Sequence, residues 1–329
     1  MALLEVRNLK KYFPVQRSLL EILSSRERKY VKAVDGISFS IEKGETLALI
    51  GESGCGKTTT GRLILRLIEP TSGSILFDGK DIVKLRKKEL RQLRRRMQMI
   101  FQDPYASLNP RMKIGNAIAH PLLIHNLATR KEAREIALKM LRRVGLTPEK
   151  EFYDRLPHQL SGGQRQRVVI ARAMVLKPEF VVADEPVSMI DVSMRASILD
   201  LLQEFKKEYG LTMLFITHDI AIGRIIADKL AVMYLGKIVE LGPVDKVINN
   251  PLHPYTLALI ESVPSIRRRK RARRIKITGE VPNPINPPSG CRFHPRCPFA
   301  TKKCSSEEPK LIEVEPQHYV ACFNPLIKH

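Results

Sequence analysis

Apolar and polar positions change period several times along the chain, and each change marks an element. Residues 3–13 and 37–50 carry the aliphatic pattern of strands, with a polar, arginine-rich insertion between them at about 16–30. The run TLALI (46–50) is short, apolar and followed by a glycine-rich turn, as expected of a strand buried on both faces of a parallel sheet. TTGRLILRLI, after that turn, gathers its apolar side chains on one helical face. Thr129-x-x-Glu132 predicts a capping box, opening a helix with an apolar stripe at Ile136, Met140, Leu141 and Val144 and a stop at Gly145. FVVA (180–183) and TMLFI (212–216) are two more buried strands with helices between. Strands alternating with helices predict an α/β fold, a parallel sheet covered on both faces. Residues 264–298 are proline-rich and show neither period. The boundary is therefore expected near 261, dividing a domain over 1–260 from an extension over 261–329.

Composition bounds the picture further. The 329 residues are 43% hydrophobic, enough for a proper core and incompatible with wholesale disorder. No apolar stretch approaches the ~18–20 residues of a membrane helix. Glu5, Arg7, Lys10 and Lys11 stand where a signal peptide needs an apolar stretch, so a cytosolic chain is expected. The 56 Lys+Arg against 34 Asp+Glu leave a net charge of +22. Much of it lies in 84–96 (KLRKKELRQLRRR), which reads as the solvated face of a helix, and in 267–274 (RRRKRARR), which reads as a linker. The chain has no Trp, and neither run carries interleaved aromatics, so no specific nucleic-acid partner is expected.

The sharpest local signal is Gly51-Glu-Ser53-Gly54-Cys55-Gly56-Lys57-Thr58, which follows a strand and opens a helix. It matches G-x-x-x-x-G-K-[ST] in the context that motif requires. The glycines let the backbone amides turn inward on a β-phosphate at a helix N-terminus. Lys57 reaches the β- and γ-phosphates, Thr58 is a Mg²⁺ ligand, and Thr59 adjoins it. Cys55 fills a position where only its amide matters. The chain contains no N-K-x-D motif for guanine, which favours ATP. Phe180-Val-Val-Ala-Asp184-Glu185 is an apolar strand ending in two carboxylates. There Asp184 serves Mg²⁺ and Glu185 serves as general base toward water.

Leu160-Ser161-Gly162-Gly163-Gln164, followed by RQRVVIARAMVLKP and the Asp-Glu strand, resembles the signature arrangement of ABC-transporter ATPases over residues 1 to about 260. The resemblance implies a P-loop NTPase with a RecA-like core and a helical signature subdomain at about 103–172. It also implies that Gln102 is the Q-loop residue, contacting Mg²⁺ and coupling to membrane subunits. His218 in FITHD is then the switch histidine on the γ-phosphate. Phe13 stacks on adenine, with Tyr12 the neighbouring candidate, and Ser188-Met-Ile-Asp191 is the D-loop. Met189 and Ile190 replace the more usual Ala-Leu there. In this family the signature of one cassette closes over ATP held by another. A second ATPase subunit, identical or homologous, is thus implied, with two membrane permeases and an extracytoplasmic solute-binding protein. The same resemblance places the chain peripherally on the cytoplasmic face of the membrane. A soluble ABC ATPase acting on nucleic acid would more usually carry two cassettes or a long coiled-coil insertion, and this chain has neither.

Four of the five cysteines fall in the last 39 residues: Cys291, Cys297, Cys304 and Cys322. In a cytosolic chain such a group favours metal over disulfides, as tetrahedral Zn²⁺ or an iron–sulfur cube. CRFHPRCPFATKKC, preceded by GEVPNPINPPSG, together with HPYTLALIESVP and QDPYASLNPRM, resembles the oligopeptide/dipeptide-importer ATPases. That resemblance implies peptide uptake and a [4Fe–4S] cluster on the four cysteines in a small irregular extension, with zinc as the alternative. Related importers carry oligosaccharide or nickel.

Overall fold

A computed structural model describes residues 2–15, 28–263, 277 and 279–327. Most of the 16–30 insertion and the whole 267–274 basic run lie outside these residues. The strands are β1 (Ala2–Pro14), β2 (Tyr30–Glu42), β3 (Thr46–Ile50), β4 (Ser72–Phe77), β5 (Lys80–Asp81), β6 (Met97–Ile100), β7 (Phe180–Asp184), β8 (Thr212–Thr217), β9 (Lys229–Tyr234), β10 (Lys237–Pro243), β11 (Ile312–Glu315) and β12 (His318–Val320). The chain forms two compact units, one of residues 2–41, 46–83 and 216–329 and the other of 42–45 and 84–215.

The first, terminal unit contains two sets of strands. One runs β2-β1-β4-β5, with β1 antiparallel to β4 and β4 antiparallel to β5. The other runs β11-β12-β10-β9-β3, in which only β3 and β9 are paired in parallel. All five residues of β3 are buried, as a wholly apolar run requires. The expected single strand over 37–50 is in fact two. Gly44, at φ +78°, turns the chain between them, and the Glu45 amide donates to the Glu42 carbonyl at 3.0 Å. A left-handed backbone is cheap only for glycine, and this turn breaks the run.

The middle unit holds β8, β7 and β6 in that order, with β6 parallel to β7. β7 and β8 are fully buried. Helices fill the stretch between β6 and β7. The longest of them, Arg130–Arg143, carries the expected capping box: the Thr129 amide donates to Glu132 at 2.8 Å, and the Glu132 amide donates back to Thr129 Oγ1 at 3.3 Å. The helix expected over 84–96 is shorter, Lys87–Leu93, burying Leu90 and Leu93. Arg94–Arg96 instead turn the chain into β6, and Arg96 forks onto Glu179 at 2.6 and 2.8 Å.

The extension is less irregular than its composition suggests. It forms a helix (Lys302–Ser306) and the hairpin β11–β12, whose second strand pairs with β10. The Glu240 carboxylate, wholly buried in β10, accepts the Leu252 and His253 amides at 2.8 Å each and bonds His318 Nε2 of β12 at 2.8 Å. A buried carboxylate with three partners offsets its own desolvation and fixes the hairpin.

Candidate functional site

In the terminal unit, the loop 51–56 joins β3 to the helix Lys57–Ile64. Gly56 has φ +108°, and a Cβ there would stand 2.1 Å from the Ala33 carbonyl oxygen, so only glycine fits. No side chain caps the helix at Gly56. Lys57 is buried, its ammonium donating to the Gly51 carbonyl at 2.7 Å and the Glu52 carbonyl at 3.0 Å. Ser53 and Gly54 are exposed, and Thr58 and Thr59 half-buried. Cys55 is buried, and burial raises its thiol pKa against the pull of Lys57, so it packs as a small neutral residue. His218 is exposed just after β8, where Asp219 caps the next helix by accepting the Ala221 amide at 2.8 Å. Phe13 is 37% exposed at the end of β1. Tyr12 is committed elsewhere, its hydroxyl donating to Asp35.

In the middle unit, Asp184 is buried at the end of β7, and Glu185 follows at φ +45°. A left-handed non-glycine residue is a strained conformation that clusters at functional sites. Gln102 Nε2 donates to Glu185 Oε2 at 3.1 Å. The Ser188 amide and hydroxyl donate to the Glu185 carbonyl at 3.1 and 3.0 Å, closing the turn behind it. The helix Gly162–Met174 starts with a capping box between Ser161 and Gln164. Its glycines lie beside the segment after Glu185: a Cβ on Gly162 would meet the Met189 carbonyl at 3.7 Å, and one on Gly163 would meet Met194 at 3.1 Å. The unusual D-loop pair divides its work, with Ile190 buried and Met189 53% exposed.

Several contacts of the phosphate loop carry no local signal in the sequence. The Glu52 amide donates to the Tyr255 hydroxyl at 2.9 Å. The Glu52 carboxylate receives Arg296 of the extension in a fork, at 2.8 and 3.2 Å. Burial works against the Arg296 charge, but its bonds to Glu52 and Tyr234 prevail and hold the guanidinium above its ordinary value. Phe293, three residues earlier, is buried against Tyr234 and Tyr255, with ring centroids 5.3 and 5.4 Å apart. Arg292 donates to Asp35 and to the Leu235 carbonyl. Glu52 occupies a wildcard position of the loop motif, and its partners are 203 and 244 residues away. Only the folded chain reveals them.

Among the described residues, no group of three or more His, Cys, Asp or Glu side chains is placed to hold a metal ion. Cys291, Cys297, Cys304 and Cys322 nevertheless line one narrow cavity, walled by Phe293, Phe299 and Phe323. Burial raises the thiols of Cys291, Cys297 and Cys322, the last to about 12, and neighbouring thiols add to the shift.

An acid-ended buried strand, a glycine loop opening an uncapped helix and a second, capped glycine-rich helix start define the class of ABC ATPase cassettes. Residues 34–188 match the family model described as ABC transporter, and 239–304 match oligopeptide/dipeptide transporter, C-terminal region. The chain is 50% identical to the oligopeptide transport ATP-binding protein AppF of Bacillus subtilis, over 97% of this chain and 96% of that one. It is 47% identical to the dipeptide transport ATP-binding protein DppF of Haemophilus influenzae, over 98% and 96%. Among solved structures, the dimeric post-hydrolysis ATP-binding cassette MJ0796 with ADP and Pi superposes with TM-score 0.64 at 28% identity, over 73% of this chain and 98% of that one. The chain therefore belongs to the ABC-transporter ATP-binding proteins of the oligopeptide/dipeptide group, and it is an ATPase.

Proposed function

We propose that this chain powers the import of di- and oligopeptides. It would pair with a second, identical or homologous ATPase on two membrane permeases at the cytoplasmic face, served by an extracytoplasmic solute-binding protein. The observation that carries this reading is similarity over nearly the whole chain, extension included, to relatives named for oligopeptide and dipeptide transport. Among the described residues no helix is long and apolar enough to cross a membrane, which leaves the pathway to other subunits.

The roles follow from the chemistry of each group. The amides of Gly51–Thr59 and the Lys57 ammonium take the β- and γ-phosphates. Thr58, Gln102 and Asp184 offer oxygen donors that suit a hard divalent cation, and Mg²⁺, when bound, neutralises phosphate charge. Glu185 orients and deprotonates the attacking water, and its bond from Gln102 keeps the carboxylate in place. His218 donates to the γ-phosphate, Phe13 stacks on adenine, and Ser161–Gln164 reach the γ-phosphate held by the partner ATPase. Each cassette thus completes the other's site, and ATP closes the pair. Peptide uptake in a strain lacking the gene tests the reading. The intact gene is expected to restore uptake of labelled di- and tripeptides and Glu185→Gln to restore none. Restored uptake of nickel or an oligosaccharide instead of peptide would overturn the substrate class.

We also propose a [4Fe–4S] cluster on Cys291, Cys297, Cys304 and Cys322. The donors have the right chemistry: the four cysteines line one narrow cavity with aromatic walls. Tetrahedral zinc on the same four thiols is the alternative. Bound iron would supply the positive charge that buried thiolates lack. About four iron and four sulfide per chain after anaerobic purification are expected, and one zinc without sulfide would contradict the assignment.

A further inference from the structure

The Glu52–Arg296 pair is placed where it can act on ATP. Glu52 is the first wildcard residue of the phosphate loop, so its carboxylate is a negative charge beside a site built for a polyanion. Its side chain is 28% exposed and that of Arg296 10%, so the pair is screened less than a surface pair. Arg296 meets the carboxylate with both terminal nitrogens, a geometry that fixes position as well as charge. The Glu52 amide is held separately by Tyr255, and its carbonyl by Lys57. Arg296 itself is locked by its bond to Tyr234 at 3.4 Å and by its place in the Phe293–Cys297 turn, whose Arg296 and Cys297 amides donate to Phe293 and His294. Phe293 packs on the same two tyrosines.

We propose that Arg296 is a positioning residue for ATP binding, neutralising and anchoring Glu52 so that the cysteine-bearing extension sets the affinity of the phosphate loop. Without Arg296 the Glu52 charge stands uncompensated next to the phosphates and the loop loses one of its tethers. Both effects weaken binding. Because Arg296 directly precedes Cys297, whatever orders the Cys291–Cys297 turn also orders Arg296, and nucleotide affinity becomes a readout of the state of the extension.

The inference rests on residues 51–58 being the ATP loop, and equilibrium binding of MgATP to the purified full chain tests both. Arg296→Gln is expected to raise Kd about ten-fold, as expected for one uncompensated charge within a Debye length, and Arg296→Lys about three-fold, because it keeps the charge but loses the fork. Adding Glu52→Gln to Arg296→Gln removes the stranded charge and is expected to bring Kd back to within about three-fold of the parent. A purely structural role would lower Tm without that rescue. Steady-state kinetics are expected to show the loss in KM and to spare kcat. A folded Arg296→Gln with parental Kd, or a double variant weaker than Arg296→Gln, overturns the proposal alone. If the parent binds MgATP no better than Lys57→Ala, the reading of the loop fails and the proposal fails with it.

Discussion

The phosphate loop and the cysteine-bearing extension touch within one compact unit, yet they keep their shapes by a different balance of near and distant contacts. Most of the loop is held from close by, Lys57 closing on the Gly51 and Glu52 carbonyls and the Thr60 amide on the Gly56 carbonyl, and Glu52 adds the distant partners Tyr255 and Arg296 described above. The extension is held from afar. Arg292 reaches Leu235 and Asp35, Arg296 reaches Glu52 and His318 reaches Glu240, across 57 to 257 residues of chain. A short-range structure forms whenever its strand and helix form. A long-range one exists only by docking, and it pays loop-closure entropy to do so. The difference teaches that the extension depends on the cassette for its fold, while the phosphate loop takes from the extension one ion pair, at Glu52.

Three variants sharpen that contrast, in falling order of effect. Gly56→Ala strikes the loop where no neighbour can give way, since the new Cβ would meet the Ala33 carbonyl oxygen at 2.1 Å with φ at +108°. MgATP binding should disappear, with a stability loss of about 3 kcal/mol or more in denaturant titration. Glu240→Ala strikes the docking of the extension and strands the Leu252 and His253 amides and His318. A loss of about 3 kcal/mol is expected, with β11–β12 becoming the first site of limited proteolysis. Parental proteolysis would show that the hairpin docks without this carboxylate. Cys304→Ser is the mildest: iron and its visible absorbance should vanish, with ATP Kd raised no more than about ten-fold. A full cluster spectrum in that variant would remove Cys304 from the ligand set.

Legibility in the sequence follows the same divide. Strand, loop and helix at 46–64 are read from an apolar run, spaced glycines and a one-faced apolar pattern, all within a few residues of each other, and the Thr129–Glu132 capping box is equally local. The run 37–50 reads as one strand because its apolar pattern outweighs the single Gly44 that breaks it. The extension shows no period because its hairpin β11–β12 is short and is stabilised by β10 and by Glu240, neither of which lies near it in sequence. Gln102 and His218 are isolated polar residues, and only their order relative to the loop and signature marks them. Glu52 and Arg296 give no signal at all, for a wildcard position and an arginine in a basic chain are each unremarked until they meet.

The most direct test of the extension's grip on the loop is amide hydrogen exchange over residues 51–56, comparing the full chain with Arg296→Gln. The Glu52 amide is bonded to Tyr255 behind the Arg296 fork, so its exchange should quicken by about ten-fold or more in the variant, while β3 and β7 keep their protection. Faster exchange confined to residues 291–304, with the loop unchanged, would mean that the extension sits beside the loop without holding it.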